Sequence, residues 1–476
     1  MHEQHTGDDL RALAGFRRDF YACLTRRADA LFELTDALLC ADGPVTSMVG
    51  LSLAAVHRRG HGALYDAVNA GRITIGRLRR ELATLRLPRD RQGRIMLAVD
   101  VSPWLRPDAA TARDRAFCHV HGRARNAGQV IPGWPYSLVV ALEAGRSSWC
   151  AILDALRLGP DEDATTATAT QLRQLIERLR AGGQHHDGDP PILICLDAGY
   201  DITRLAFLLA DLPVILVGRV RTDRVFHRAP PPPPAGHHGR PARHGEPVDL
   251  DQPHTHPPAT VSTQADTSRY GRAVVDAFTD VHQQLQRRGG WAEHTGQLPI
   301  VAGTLVRLRV DRLPGDRRPA PLWLWVSAVH PTPEQVDRWW HTYLRRFDIE
   351  HLFRFVKQVL GWTRPRLRDP HAADRWTWLI IACHTQLRLA RDLSIDLRRP
   401  WERPITTPGR LTPTRVRRGF VHLHAKLPHP ASAPKPTRPG PGRPPGSKNK
   451  HLAPRPPVGK TPQPNPTGNS KPSKKV

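Results

Sequence analysis

Four side chains late in the chain have types and spacing suited to handling a phosphodiester: Tyr343, Arg346, Glu350 and Lys357. Counted from Tyr343 their offsets are three, seven and fourteen. At about 100° per residue they share one helical stripe roughly 60° wide, with Arg354 at its edge. One face then carries a phenol, cations able to clamp phosphates, and a carboxylate able to complete a metal site. A solvated face with i,i+4 pairs, Glu350 with Arg346 or Arg354, is the ordinary alternative. Lys357 weighs against it: every other basic residue before Lys426, histidines aside, is an arginine. A compact ammonium there does what a guanidinium would not.

Two aspartates add further acids. Asp100 follows the apolar run Ile95–Val99, and Asp197 follows Ile192–Leu196. Each reads as a carboxylate where a buried strand meets a loop, and α/β sheets gather ligands beyond the carboxyl ends of their strands. Two carboxylates brought together repel unless they are protonated or bridged by cations. Hard oxygen donors suit Mg2+, which keeps room for water and phosphate oxygens. Taken singly, either Asp is as well explained as a cap, and Asp201 reads as the N-cap of the next helix.

The elements that must position these residues follow from periodicity. Residues 10–88 read as helical, with one apolar repeat over Leu10–Leu39 and another over Ile73–Leu87. This basic stretch is either a DNA-gripping module or a packing domain with a solvated face. From Arg94 the texture is that of a mixed α/β sheet, with strands ending at Asp100, over 135–143, 149–153, 191–196 and 214–220 and helices over 165–179 and 202–209. His227–Pro258 is rich in Pro, Gly and His and reads as a solvated linker rather than a metal site. Strands over 273–278, 301–310 and 322–329 make 221–330 a β-rich insertion. Helices return from Pro333 through Leu360, with or without a break, and over Ala372–Leu393. The expected boundaries are therefore an N-terminal helical domain (1–90), a core in two parts (91–220 and 331–400) flanking the insertion (221–330), and a disordered basic tail (401–476).

Composition restricts the partner. Lys and Arg number 70 against 44 Asp and Glu, a formal net charge of +26, which favours a polyanion. No uninterrupted apolar run approaches a membrane span, and Glu3, Asp8 and Asp9 do not suit a secretory signal. The six cysteines lack C-x-x-C spacing, so neither a zinc framework nor disulfides are expected and a reducing cytosol fits.

With these residues in place, the chain resembles the DDE transposases of bacterial insertion sequences, in the branch marked by a Tyr-Arg-Glu-Lys signature helix. Tyr343, Arg346, Glu350 and Lys357 match its four positions and three gaps. Asp100 and Asp197-Ala198-Gly199-Tyr200-Asp201 are similar to the family's first and second acidic motifs. The resemblance covers about residues 90–390. It implies a ribonuclease-H-like fold and a triad of Asp100, Asp197 and Glu350 holding two Mg2+ ions, with Mn2+ as a substitute. It also implies hydrolysis at element ends followed by strand transfer into target DNA, with Tyr343, Arg346, Arg354 and Lys357 on phosphates. Trp339, Trp340 or Phe347 would stack on a flipped base. A homodimer bridging two DNA ends and a cytoplasmic, nucleoid-associated location belong to the same expectation. Gly442-Arg443-Pro444 resembles the core of an AT-hook, placing Arg443 on DNA, and His119 and His121 are further candidate contacts. The rivals are a nuclease of the same fold without strand transfer and an inactive, element-derived DNA-binding protein.

Overall fold

Apolar residues run unbroken along the central strands because both faces of the sheet are covered. Residues 2–121, 128–145, 147–232, 240–268, 270–313, 319–405, 410–435, 446 and 453–459 are described by the computed structural model. The Arg443 segment lies outside them.

The N-terminal part comprises α1 (His2–Cys23), β1 (Leu24–Arg26), α2 (Ala28–Cys40), α3 (Met48–Leu51), α4 (His61–Ala70), β2 (Arg72–Ile73) and α5 (Ile75–Thr84). The repeat over Leu10–Leu39 is thus two helices. Arg27 turns the chain at φ 56°, and Leu24 and Arg26 pair with Ile73 and Arg72.

The central elements are β3 (Met96–Leu105), β4 (Ala116–His121), β5 (Gly128–Leu142), β6 (Cys150–Arg157), α6 (Ala164–Ala181), β7 (Ile192–Leu196), α7 (Ile202–Leu208) and β8 (Val214–Val220). In space the strands run β6, β5, β3, β7, β8. β5 is antiparallel to both β3 and β6, whereas β7 lies parallel to β3 and β8 parallel to β7. Leu97 and Val99 face α6 and α7, while Met96 and Ala98 face the helices of the opposite layer. β4 is short and carries two histidines, His119 and His121, and it escaped the sequence reading.

The insertion contains β9 (Val225–Arg228), β10 (Pro247–Asp249), β11 (Val261–Thr267), β12 (Gly271–His282), β13 (Gly303–Val310) and β14 (Leu322–Val326). Its strands extend the central sheet rather than form a separate one. β14 pairs antiparallel with β8, so a 12-stranded sheet runs through both parts. The expected linker also contributes, since β9 and β10 pair with each other and β9 with β12.

The last helices are α8 (Pro333–Arg345), α9 (Asp348–Gln358), α10 (Pro370–Leu389) and α11 (Pro413–His424). The last of these lies in a stretch read as tail. Val416 and Phe420 are fully buried, and their helical spacing outweighs the basic composition around them. The N-terminal helices share one apolar cluster with α9, α10, α11 and one face of β3, β5 and β6. Asp36 on α2 binds Arg17 Nη1 and Nη2 at 2.7 and 3.0 Å, and His424 Nε2 stands 3.0 Å from the same carboxylate. Among the described residues no helix is long and apolar enough to cross a membrane.

Candidate active site

The β3–β7 register explains why two distant aspartates meet. Met96 pairs with Leu193, Ala98 with Cys195 and Val99 with Leu196, where the parallel ladder stops. Asp100 and Asp197 are the next residues on each strand. Side chains alternate between faces, so Asp100 follows Met96 and Ala98, and Asp197 follows Leu193 and Cys195, towards the α8–α9 layer. β3 does not end at its acid, as expected, but continues to Leu105 because β5 pairs with it as far as Gly133. Asp100 therefore projects from mid-strand, whereas Asp197 opens the loop before α7.

α8 starts at a capping box, with Thr332 and Gln335 exchanging side-chain and backbone bonds behind Pro333. Val336, Trp339, Trp340 and Tyr343 bury its apolar face. A slight break separates α8 from α9, but Arg346 and Phe347 keep right-handed helical angles. The stripe predicted for one helix thus survives across two. Arg346 Nη1 donates to Asp100 Oδ2 at 3.0 Å, and Nη2 lies 3.8 Å from Asp197 Oδ1. The alternative pairing of Arg346 with Glu350 is not formed. Among the described residues Glu350 makes no ion pair within 4.0 Å, and its charge acts on both Asp100 and Lys357.

The charges report this convergence. Burial pushes the Asp100 carboxyl up to about 6; Arg346 opposes the shift, and Glu350 and Asp197 add to it. Burial likewise lowers the Lys357 ammonium, against the pull of Glu350 and Asp100. Its Nζ stands 3.4 Å from the Pro103 carbonyl oxygen and about equally far from the Phe353 and Trp362 rings, at 6.0 and 5.8 Å. Tyr343 is buried under Arg346, and burial raises its phenol to about 12. Asp100 and Asp197, bridged by Arg346, offer hard oxygen donors of the kind a divalent cation takes. Glu350 acts on Asp100 through its charge, and the three carboxylates do not bring their oxygens within 4.8 Å of one another. Asp100 and Asp197 would hold it, with Glu350 completing the set.

Some expected contributors are placed elsewhere. Trp339 and Trp340 are core residues at 2% and 1% exposure, leaving Phe347, 56% exposed, as the aromatic free to stack. Arg354 is exposed on α9. Asp201 caps α7, accepting from Arg204 N at 3.1 Å. Sequence reasoning missed a cavity of about 250 Å3 beside Asp197, lined by Gly199, Tyr200, Arg219, Arg221, Arg224 and Gln283. The alternating Arg219-Val220-Arg221 at the end of β8 was its available signal.

A family model described as DDE superfamily endonuclease matches residues 19–283. The chain belongs to the DDE superfamily of endonucleases. No curated protein matches it closely enough to count as a relative. The β6-β5-β3-β7-β8 arrangement is the ribonuclease-H-like core of such a DDE nuclease, enlarged by the insertion's strands. DDE nucleases act on DNA and as a class use divalent metal ions. The matched span contains Asp100 and Asp197 and ends before Glu350.

Proposed function

We propose that this DDE endonuclease is a transposase of the Tyr-Arg-Glu-Lys branch, cutting DNA at element ends and transferring the freed 3′-hydroxyl into target DNA. One observation carries the reading: Arg346, at a signature position, spans Asp100 and Asp197. Asp100, Asp197 and Glu350 are the proposed metal ligands for two Mg2+ ions, with Mn2+ able to substitute. When bound, such ions lower the pKa of the attacking water or hydroxyl and offset charge on the leaving oxygen. Arg346 neutralises the aspartate pair beforehand and offers its guanidinium to a phosphate. Lys357 and Tyr343 hold the same strand from below, Arg354 from the exposed edge, and Phe347 stacks on an unpaired base.

The working unit is proposed to be a homodimer bridging two ends, associated with the nucleoid. Its core would be residues 91–220 and 331–400, with 221–330 as insertion. Residues 1–90 would grip specific DNA, and the tail with Arg443 would enter the minor groove or add non-specific phosphate contacts. The test is incubation with Mg2+, a plasmid carrying the flanking ends and a target plasmid. Wild type should nick at the ends and give joined products, whereas Asp100→Asn and Glu350→Gln should give neither. Nicking without joining would leave the nuclease and remove the transposase; equal activity in the variants would remove the site.

A further inference from the structure

The insertion brings together three imidazoles outside the acidic site. His227 on β9 and His282 on β12 are cross-strand partners. His244 lies on the return towards β10, with its Nδ1 2.9 Å from His282 Nε2. Ring centroids are 5.1 Å apart for His244–His282, 5.5 Å for His227–His244 and 6.3 Å for His227–His282.

Three imidazoles on one tetrahedral zinc, with N–Zn bonds of about 2.0–2.1 Å, place their centroids about 5 Å apart. Two of the separations are close to that value, and the third needs the His227 ring to turn inward. The surrounding bonds suit ligation. His227 Nδ1 faces the Gly245 carbonyl oxygen at 3.2 Å, which leaves Nε2 for an ion. A ring nitrogen donating to a carbonyl is how metal-bound histidines are commonly oriented. Gly245 fixes the turn that carries His244. Its N–H donates to Arg228 O at 2.9 Å, and a Cβ there would meet Ala229 O at 2.5 Å. His282 is 2% exposed, so its ring is held in place against the sheet.

We infer that His227, His244 and His282 form a transition-metal site, with zinc as the ion that best suits three imidazoles and an open fourth position. The ion would fasten the Pro/His-rich segment to β12. It would also steady Gln283, the next residue, which accepts from Thr203 Oγ1 at 3.1 Å and lines the arginine cavity beside Asp197.

Among the described residues, ligand atoms already lie within 4.8 Å of one another in a different cluster, Asp36 with His424 and His429; the three imidazoles reach that spacing only when the His227 ring turns. In the Asp36 cluster Arg17 Nη1 and Nη2 take Asp36 Oδ1 and Oδ2 in a bidentate, fully buried pair, so both oxygens that a metal would need are already engaged. That cluster is an ion-pair network holding α11 to α2.

The experiment is equilibrium dialysis of the full chain against Zn2+, with Co2+ substitution read by visible absorption. Wild type should retain one zinc and give a low-coordinate Co2+ spectrum. His282→Gln and the half-buried His244→Gln should each lose that equivalent, with far-UV circular dichroism confirming that they fold. His429→Gln and Asp100→Asn should retain it, which separates this site from the ion-pair cluster and from the acidic triad. Absence of bound zinc in wild type, or a folded His244→Gln that retains as much as wild type, would overturn the assignment.

Discussion

Arg346 donates to Asp100 over 3.0 Å although 246 residues separate them in sequence. The contact joins the α8–α9 junction to the middle of β3, and Asp197 lies at the guanidinium's other nitrogen. A planar, fixed fork can serve two carboxylates at once; an ammonium serves one. Arg346→Lys should therefore keep the charge but release Asp197, leaving the pair less neutralised. The expected results are a fall in nicking of about tenfold or more, as for a lost charge-assisted bond of about 1.5–3 kcal/mol, and an Asp100 carboxyl titrating above its wild-type position. Wild-type nicking in Arg346→Lys would show that bridging is dispensable.

The raised Asp100 carboxyl makes a pH prediction with a definite sign. The native carboxyl titrates at about 6 against an ordinary 3.8, so the native state holds the proton more tightly than the unfolded chain. In EDTA, stability should fall as pH rises from about 4 through about 6 and then level off. Asp100→Asn carries no such penalty. It should be more stable than wild type at pH 7.5, on the order of 3 kcal/mol, with the gap closing near pH 4. Melting curves at the two pH values decide it: a variant less stable than wild type at pH 7.5 would mean that Arg346 outweighs burial.

Phe347 and Trp340 separate surface from core. Phe347 is 56% exposed at the helix junction, and its ring meets that of His351 edge-on, with centroids 5.4 Å apart. Phe347→Ala should leave the melting temperature nearly unchanged while weakening binding of DNA with an unpaired base by about 1–3 kcal/mol. Trp340 is 1% exposed, and its indole N–H donates to Asp337 at 3.1 Å. Trp340→Ala should destabilise the fold by about 3–5 kcal/mol. A Phe347→Ala variant with unchanged DNA affinity would remove the stacking role.

The two acids on strands were readable in the sequence because a buried strand is an unbroken apolar run, and both runs stop at an aspartate. Their meeting was not readable, because it depends on the β3–β7 register, a long-range pairing that neither run encodes. β8 was placed from Val214 to Val220, matching the structure, since its ends are marked by Pro213 and Arg221. The insertion's strands were found, but their continuity with the main sheet depends on β14 pairing with β8, which periodicity does not report. α11 was hidden by composition: Val416, Phe420 and Leu423 have core spacing, yet all the residues between except Val421 are arginine, histidine and glycine. The arginine cavity was missed because Arg219 is an exposed position of β8 and Arg221 the residue just after it, where a basic residue is unremarkable until the fold shows what lies beside it.

Lys357 tests whether the solitary lysine is a chemical requirement. Its ammonium occupies a confined site, 3.4 Å from the Pro103 carbonyl oxygen and between the Phe353 and Trp362 rings. Trp362 cannot yield easily, because its own N–H donates to Thr377 at 2.9 Å and its carbonyl accepts from Trp376 at 2.8 Å. A guanidinium is wider and flat, so Lys357→Arg should displace the charge by about an ångström, enough to cost about a hundredfold where positioning governs the rate. Lys357→Met keeps a similar length and volume without charge. It should fold at least as well as wild type, because burial already opposes the charged form. Both variants should therefore melt normally and nick poorly, measured on the same plasmid substrate in Mg2+. Full activity in Lys357→Arg would make the lysine an accident of composition, and full activity in Lys357→Met would take its charge out of the reaction altogether.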